Sequence, residues 1–150
     1  MNSKVRREFP KQPLVGVGGV VVHRNRVLLI RRGSEPLKGQ WSIPGGLLEL
    51  GEELTVAVRR ELKEETGLTV EPVHMLEVFD RIVRRGRRVQ FHFVIVDYAC
   101  RVKGGRLRPG SDVLDARWAS RKELPQYHLT EKATSMVLQG LDFFRKAGRR

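Results

Sequence analysis

The chain has 150 residues, of which 29 are lysine or arginine and 17 are aspartate or glutamate, so its formal net charge is +12. This length predicts a single domain over residues 1–150, and the charge favours anionic partners such as nucleotides, RNA or acidic lipids. One cysteine, Cys100, excludes an internal disulfide, and no His/Cys cluster has zinc spacing, so a reducing, cytoplasmic compartment is expected. The longest apolar run is too short to cross a membrane, and we expect no membrane contact.

The first part of the chain predicts an arm followed by two strands. Residues 1–12 are expected to form a loose arm, and residues 14–22 and 26–30 are predicted strands joined by a turn at 23–25. Glycines within the first strand indicate either close backbone approach to a ligand or a packing or bulge requirement. These glycines are Gly16, Gly18 and Gly19.

Two arginines that end the second predicted strand are candidate substrate ligands. Arg31 and Arg32 precede the segment Trp41-Ser-Ile-Pro-Gly-Gly46. A guanidinium group can hold a phosphate through paired, charge-assisted hydrogen bonds. The alternative is that both arginines are solvated surface residues.

A helix is predicted over residues 53–66, ended by Gly67. At about 100° per residue, Glu61 and Glu65 share a face with the apolar residues Leu54, Val58 and Leu62, and Glu64 flanks that face. The opposite face is predicted to carry Arg59, Arg60, Lys63 and Thr66. Carboxylates that continue an apolar stripe are costly without a cation, so the pattern favours a Mg²⁺ or Mn²⁺ site that holds phosphates. The alternative is an ordinary glutamate-rich helix with an Arg60–Glu64 ion pair.

The spacing around this helix resembles the signature of the Nudix hydrolase family at every defined position. It comprises Gly46, five residues, Glu52, seven residues, Arg60-Glu61-Leu62, one residue, Glu64-Glu65, one residue and Gly67-Leu68. The resemblance implies an α/β/α sandwich with a mixed β-sheet. It also implies that Glu52 and Arg60 form an ion pair that braces the preceding loop against the helix, and Arg60, facing away from the metal side, suits that role.

The second half of the chain predicts two more strands and a basic hairpin end. Strands are expected over residues 70–79 and 89–98, with Phe91, Phe93 and Ile95 on one face and His92 in a structural role on the other. Between them, the arginine-rich segment 81–88 predicts an exposed turn, in which Arg81 and Arg84 are candidate substrate ligands. A solvated charge run is the alternative.

The C-terminal third predicts a loop, a strand and two helices. Residues 101–111 are expected to form a basic loop, followed by a strand that leads to Trp118. The resemblance implies a further acidic residue before this strand, for which Asp112 is the first candidate and Asp115 the second. Ser120 and Glu123 have capping-box spacing for a short helix ending near Pro125, and Thr130 is expected to cap a last helix that packs on the sheet. Residues 145–150 are expected to be a frayed basic tail.

The predicted chemistry is metal-dependent hydrolysis of a phosphoric anhydride. Mg²⁺, or Mn²⁺ as an alternative, is expected to bind mainly Glu61 and Glu65, assisted by Glu64 and the Gly46 carbonyl. Glu64 or Asp112 is the expected general base, so the candidate catalytic residues are Glu61, Glu64 and Asp112.

The expected substrate is a nucleoside diphosphate linked to a second group, with ADP-ribose or a (deoxy)nucleoside triphosphate favoured by the resemblance. One alternative is an enzyme that removes pyrophosphate or a cap from RNA 5′ ends, although nucleic acid is not the favoured partner. A second is a non-catalytic nucleotide sensor, and a homodimer is left open.

Overall fold

The computed structural model describes residues 6–148 and contains seven strands, two α-helices and one 3₁₀ helix in that range. Helix α1 spans Leu54–Thr66, the 3₁₀ helix spans Arg121–Tyr127, and α2 spans Glu131–Ala147. The strands are β1 (Leu14–His23), β2 (Arg26–Arg32), β3 (Trp41–Ser42), β4 (Gly45–Leu47), β5 (Leu68–Arg85), β6 (Arg88–Gly105) and β7 (Val113–Ser120).

The strands form one mixed sheet in which β1 is central. The order is β3-β2-β1-β6-β5, with β4 paired to β1 and β7 paired to β2. Strand β1 runs parallel to β6 and antiparallel to β4 at Gly16–Gly18. The β1 segment with the glycines therefore lies between β4 on one side and β6 on the other.

The two α-helices cover opposite faces of this sheet. Ala57, Val58 and Leu62 of α1 pack with Val17 and Val21 of β1. Met136, Val137 and Leu141 of α2 pack with Val20, whose side chain points to the other face. This arrangement confirms the predicted α/β/α sandwich with a mixed sheet.

The helix ends follow their predicted signals. Gly67 ends α1 in the left-handed conformation with φ 78°, which glycine adopts without steric cost. Thr130 caps α2 by accepting a hydrogen bond from the backbone N–H of Ala133 at 3.1 Å. The Glu123 carboxylate accepts from the Ser120 N–H at 2.8 Å, as a capping box requires, although the helix that follows is 3₁₀ and continues past Pro125 to Tyr127.

Several predicted boundaries and one predicted face are wrong. Strands β5 and β6 have 18 residues each, and the first five residues of the predicted 101–111 loop belong to β6. The two strands pair along their whole length, with bulges that absorb irregularities, so polar residues continue the ladder.

Thr66 does not face away from the core but is fully buried. Its hydroxyl donates to the Leu62 carbonyl at 2.5 Å and accepts from the Leu68 N–H at 3.2 Å, so no polar group is left unpaired.

The described part of the N-terminal arm contacts the β5–β6 hairpin. The Phe9 N–H donates to the Gln90 carbonyl at 2.7 Å, the Gln90 side chain donates to Glu8 at 2.6 Å, and the Arg88 guanidinium lies 4.0 Å from the centre of the Phe9 ring. Residues 1–5 of the predicted arm, and residues 149–150 of the predicted tail, lie outside the described residues. Neither described α-helix is long and apolar enough to span a bilayer.

Candidate active site

A cavity of about 430 Å³ opens between β4, the C-terminal half of α1, β5, β6 and α2. This volume lies in the range of small-molecule sites. Its lining combines acidic and basic side chains. The acidic ones are Glu61, Glu64, Glu65, Asp97 and Asp112, and the basic ones are Arg7, Arg32, Arg81 and Lys132.

At one end of the cavity, the backbone of β4 lies directly against the glutamates of α1. The Gly45 N–H donates to Glu65 Oε1 at 2.8 Å. A Cβ atom at Gly46 would overlap the Glu61 carboxylate, and one at Gly45 would overlap the Val17 carbonyl. The two glycines therefore allow a contact that any side chain would prevent. We call this region, formed by Gly45, Gly46, Glu61, Glu64 and Glu65, the acidic end.

Burial makes the negative charges of the acidic end costly. It raises the pKa of Glu65 to about 7, even though the hydrogen bond from Gly45 acts in the opposite direction. Burial also raises the pKa of Glu61, against the lowering effect of Arg60. A cation beside these carboxylates would offset this cost and favour their ionised forms.

Arg60 connects the loop before α1 with the helix. Its Nε and Nη2 donate to the two oxygens of Glu52 at 2.7 and 2.8 Å, and Nη2 also donates to the Leu47 carbonyl at 3.0 Å. The hydrogen bond with Glu52 raises the pKa of Arg60, and the same bond lowers the pKa of Glu52. The predicted Glu52–Arg60 ion pair is thus confirmed.

The expectation that Arg60 faces away from the acidic residues is wrong. Its Nη1 donates to Glu61 Oε1 at 2.8 Å and lies 3.6 Å from Glu64. The long side chain bends back along the helix surface, which a helical projection of Cα positions does not represent. One guanidinium therefore orders both the loop and the Glu61 carboxylate.

The acidic end has oxygen donor atoms that suit a hard divalent cation. Glu61, Glu64, Glu65 and the Gly46 carbonyl carry oxygen atoms of the kind that Mg²⁺ and Mn²⁺ prefer as ligands. Among residues 6–148, no three acidic, histidine or cysteine side chains already surround one point, because Glu61 is turned to Arg60 and Glu65 to Gly45. Each carboxylate has further lone pairs, so these contacts are compatible with cation binding.

Two of the four candidate arginines line the cavity. Burial lowers the pKa of Arg32 and of Arg81, which marks both as poorly solvated cations. Arg31 lies outside the lining and donates through Nε to the Gly39 carbonyl at 2.9 Å, as expected for neighbouring strand residues that point in opposite directions. Arg84 is exposed near the hairpin end and also lies outside the lining.

The two candidate aspartates are similarly separated. Asp112 lines the cavity, and its carbonyl accepts a hydrogen bond from the Gly33 N–H at 3.1 Å. Asp115 lies outside the lining, where its carboxylate accepts from the Ala116 N–H at 2.8 Å and from Arg117 at 3.0 Å. Asp112 is thus the member of this pair that shares a cavity with the glutamates.

Three charged lining residues were not among the sequence candidates. Arg7 comes from the arm, Lys132 from α2 and Asp97 from β6. The period-two pattern of β6 contains a signal for Asp97, because it places this residue on the same face as Phe93 and Ile95. The sequence carries no comparable signal for Arg7 or Lys132, since their positions depend on how the arm and α2 pack.

A model of the NUDIX domain family matches residues 12–139, so the chain belongs to this family. It is 37% identical over 114 residues to an ADP-ribose pyrophosphatase of Methanocaldococcus jannaschii, covering 76% of this chain and 66% of the relative. It is 32% identical over 128 residues to the mouse 8-oxo-dGDP phosphatase NUDT18, covering 83% of this chain and 37% of the relative. In both comparisons the chain spans less than two thirds of the relative.

The fold is also shared with solved structures. The crystal structure of a MutT NUDIX hydrolase from Burkholderia pseudomallei superposes with a TM-score of 0.76 at 32% identity. The match covers 86% of this chain and 98% of that chain. The family of the chain and its sandwich fold are therefore supported by independent comparisons.

Proposed function

We propose that this protein is a divalent-metal-dependent pyrophosphohydrolase that cleaves a nucleoside diphosphate linked to a second group. Water is consumed, one P–O bond of the anhydride breaks, and the products are a nucleoside monophosphate and the phosphorylated second group. The observation that carries the proposal is the shared cavity, in which three glutamates of one helix face several buried or partly buried cations. Carboxylates for a metal and guanidinium groups for phosphates are the two requirements of phosphoryl-transfer chemistry.

The acidic end would hold the cation through Glu61 and Glu65, with Glu64 and the Gly46 carbonyl assisting. A bound Mg²⁺ or Mn²⁺ supplies charge neutralisation and lowers the pKa of water. Glu52 and Arg60 keep the loop and Glu61 in place through the hydrogen bonds described above. The network limits the movement of the loop and of Glu61, and the carboxylates would only have to turn toward the cation to bind it.

Glu64 is the better placed of the two general-base candidates. Its side chain is 60% exposed, and its nearest ionic contact, Arg60, lies 3.6 Å away, so its oxygens can accept a proton from an attacking water. Asp112 lies on another part of the cavity wall and is the second candidate. In either case the carboxylate takes the proton of the water as its oxygen attacks phosphorus.

Arg32, Arg81 and Arg7 would bind the substrate phosphates. Arg32 and Arg81 are desolvated, so ion pairs with a phosphate would be stronger there than in open solvent. Arg7 is exposed at the cavity and is positioned by the contacts of Glu8 and Phe9 with β6. These three cations would orient the anhydride toward the acidic end.

ADP-ribose is the first substrate to test, and nucleoside di- or triphosphates are the second. The archaeal relative is named an ADP-ribose pyrophosphatase, and the mouse relative is named an 8-oxo-dGDP phosphatase. Both named substrates contain a nucleoside diphosphate, which agrees with the charges and the volume of the cavity.

Hydrolysis of a nucleotide panel with product identification tests the proposal. The panel contains ADP-ribose, 8-oxo-dGDP, dGTP and a nucleoside monophosphate, each with Mg²⁺ and with excess EDTA. We expect metal-dependent release of a nucleoside monophosphate from at least one diphosphate and no reaction of the monophosphate. Binding of these nucleotides without any hydrolysis would instead indicate a nucleotide sensor.

Hydrolysis at RNA 5′ ends is a second candidate, supported by the contact between the arm and the hairpin. Arg88 stacks on Phe9, two residues from Arg7 in the cavity wall, so basic residues extend from the cavity toward the hairpin end. Such a surface could bind nucleotides beyond the first one. Triphosphorylated RNA should then be cleaved better than the free nucleoside triphosphate, with a preference that declines steeply as salt increases.

A further inference from the structure

Asp97 is a buried carboxylate for which neither metal binding nor the proposed proton transfer has a use. It is 2% exposed, and it lines the same cavity as the glutamates. Its position on β6 is opposite Gly18 of β1, which in turn pairs with Gly45 of β4. Two strand spacings therefore separate the backbones of Asp97 and Gly45, which is about 10 Å. Asp97 therefore lies on the part of the cavity wall next to the acidic end. If the phosphates bind at the acidic end, a group attached to them would reach Asp97.

No protein group in the described residues satisfies the hydrogen-bonding capacity of this carboxylate. Burial raises the pKa of Asp97 and the charge of Arg81 lowers it, and none of the hydrogen bonds among residues 6–148 involves the Asp97 carboxylate. No side-chain oxygen in residues 6–148 is both sealed from solvent and unbonded, so the Asp97 oxygens must reach the cavity. A buried carboxylate that faces the cavity and has no hydrogen bond from the described residues can accept hydrogen bonds from a ligand in the cavity.

The backbone around Asp97 is arranged to leave room for it. A Cβ atom at Gly18 would overlap Asp97 Oδ1 and would lie 3.3 Å from the Cδ1 atom of Ile43. The glycine in β1 thus creates the space in which a carboxylate and an apolar side chain meet. The sequence allowed two roles for the strand glycines, close approach to a ligand or packing. Gly18 has the packing role, because it leaves room for a polar group in the cavity wall.

The surroundings of Asp97 suit a flat, partly apolar group. Ile43, Phe79, Ile95 and Met136 line the same cavity, and Lys132 lies 4.5 Å from the centre of the Phe79 ring. An apolar wall can pack on a base or sugar ring, while an ionised carboxylate supplies acceptors and no donor. We call this region, formed by Gly18, Ile43, Phe79 and Asp97, the Asp97 end.

We propose that Asp97 is a specificity-determining residue that accepts two hydrogen bonds from adjacent donors on the nucleoside or sugar part of the substrate. This inference rests on the proposed pyrophosphohydrolase function and specifies what lies beyond the diphosphate. Two groups present such a donor pair to a carboxylate, namely the N1–H and 2-amino group of a guanine and the vicinal hydroxyls of a ribose. Adenine does not, because its Watson–Crick edge places an acceptor beside its amino donor.

The test compares the specificity constants kcat/KM of matched substrates that differ by one donor. GTP and ITP differ in the purine 2-amino group, and ADP-ribose is compared with analogues in which the 2-hydroxyl of either ribose has been removed. The wild-type protein should prefer the complete member of one of these pairs by at least about tenfold, because the analogue leaves a buried acceptor unpaired. Asp97→Asn should reduce this preference to within about threefold, whereas Asp80→Asn, at an exposed position of β5, should retain it.

Each result has a definite meaning. A ratio of two substrates measured in one preparation does not depend on the fraction of active protein, so partial misfolding of a variant does not affect it. Equal use of both members of every pair by the wild-type protein would overturn the inference without any variant, as would an unchanged preference in Asp97→Asn. Absence of hydrolysis for every diphosphate would contradict the proposed function instead, so the two failures are distinguishable.

Discussion

The acidic end and the Asp97 end of one cavity are built in different ways. The residues of the acidic end come from 21 consecutive positions, Gly45 to Glu65. The Asp97 end combines residues of β1, the segment before β4, β5 and β6, which lie far apart in the chain. The first contains an extensive internal network of hydrogen bonds, whereas the second contains a carboxylate that has no hydrogen-bond partner among residues 6–148. If the proposals above hold, the acidic end carries the chemical step on a scaffold that the protein itself braces, and the Asp97 end is completed by the substrate.

Removing one charge from the acidic end should have the largest effect. Glu65→Gln keeps the size of the side chain but weakens cation binding, so kcat should fall by about a thousandfold or more. Circular dichroism and the thermal midpoint should show a folded protein. The matched control is Glu53→Gln, at an exposed position whose side chain makes no capping hydrogen bond. Near-normal turnover in Glu65→Gln would show that the ligand assignment is wrong.

The burial of Asp97 should make the free energy of unfolding depend on pH. Burial raises the pKa of Asp97 from 3.8 to about 7, so the folded state holds this proton more tightly than the unfolded chain does. The contribution of Asp97 to the free energy of unfolding therefore falls as the pH rises from about 4 to about 7, by up to about 4 kcal/mol. Asp97→Asn should be more stable than the wild-type protein at pH 8, and less of this advantage should remain at pH 5.

Urea denaturation of both proteins at pH 5 and pH 8 measures this effect as a difference between two free energies of unfolding. Taking the difference cancels contributions from Glu61 and Glu65, whose pKa values are raised in both proteins. Asp80→Asn provides the control for removal of a surface charge. If the difference in free energy of unfolding between the two proteins is the same at both pH values, Asp97 is not a buried carboxylate with a raised pKa.

Breaking the Arg60 network should destabilise the acidic end. Arg60→Met leaves Glu52 and Glu61 without their principal donor, so the free energy of unfolding should decrease by about 2 to 3 kcal/mol. Arg59→Met, at the neighbouring exposed position, should change it by less than about 0.5 kcal/mol. If thermal or urea denaturation gives equal values for the two variants, the network does not brace the fold.

The neighbouring arginines at the end of β2 offer the smallest and most specific comparison. Arg32→Gln should reduce kcat/KM by about tenfold, chiefly through KM, because Arg32 lines the cavity and would bind substrate phosphate. Arg31→Gln should have less than a twofold effect, since the Arg31 guanidinium contacts the Gly39 carbonyl outside the cavity. Equal losses in the two variants would mean that general positive charge, and not a defined contact, attracts the substrate.

The acidic end could be predicted from the sequence because its determinants are local. A helical period places Glu61 and Glu65 together, and the resemblance to the Nudix family implied the pairing of Glu52 with Arg60. The same reasoning failed for the direction of the Arg60 side chain and for the burial of Thr66. In both cases hydrogen bonds of a side chain, to Glu61 and to the Leu62 carbonyl, decided the outcome and not the angular position on the helix.

The Asp97 end could not be predicted because it depends on strand register. Only the parallel pairing of β1 with β6 brings Asp97 beside Gly18, and strand order is not encoded in local periodicity. The alternation of β6 contains a partial signal, since a charged residue continues the face of Phe93 and Ile95. The sequence also could not show which of Arg31 and Arg32 lines the cavity. Strand alternation predicts that their side chains point in opposite directions, but it does not say which one faces the cavity.

Binding of Mn²⁺, followed by electron paramagnetic resonance, tests most directly whether the glutamates of α1 form a cation site. The wild-type protein should reduce the signal of free Mn²⁺ in a saturable manner, and Mg²⁺ should compete. Glu65→Gln should bind Mn²⁺ at least about tenfold more weakly, whereas Glu53→Gln should match the wild-type protein. Equal Mn²⁺ affinity in all three proteins, or no binding to any of them, would contradict the central claim that this helix holds the metal for the reaction.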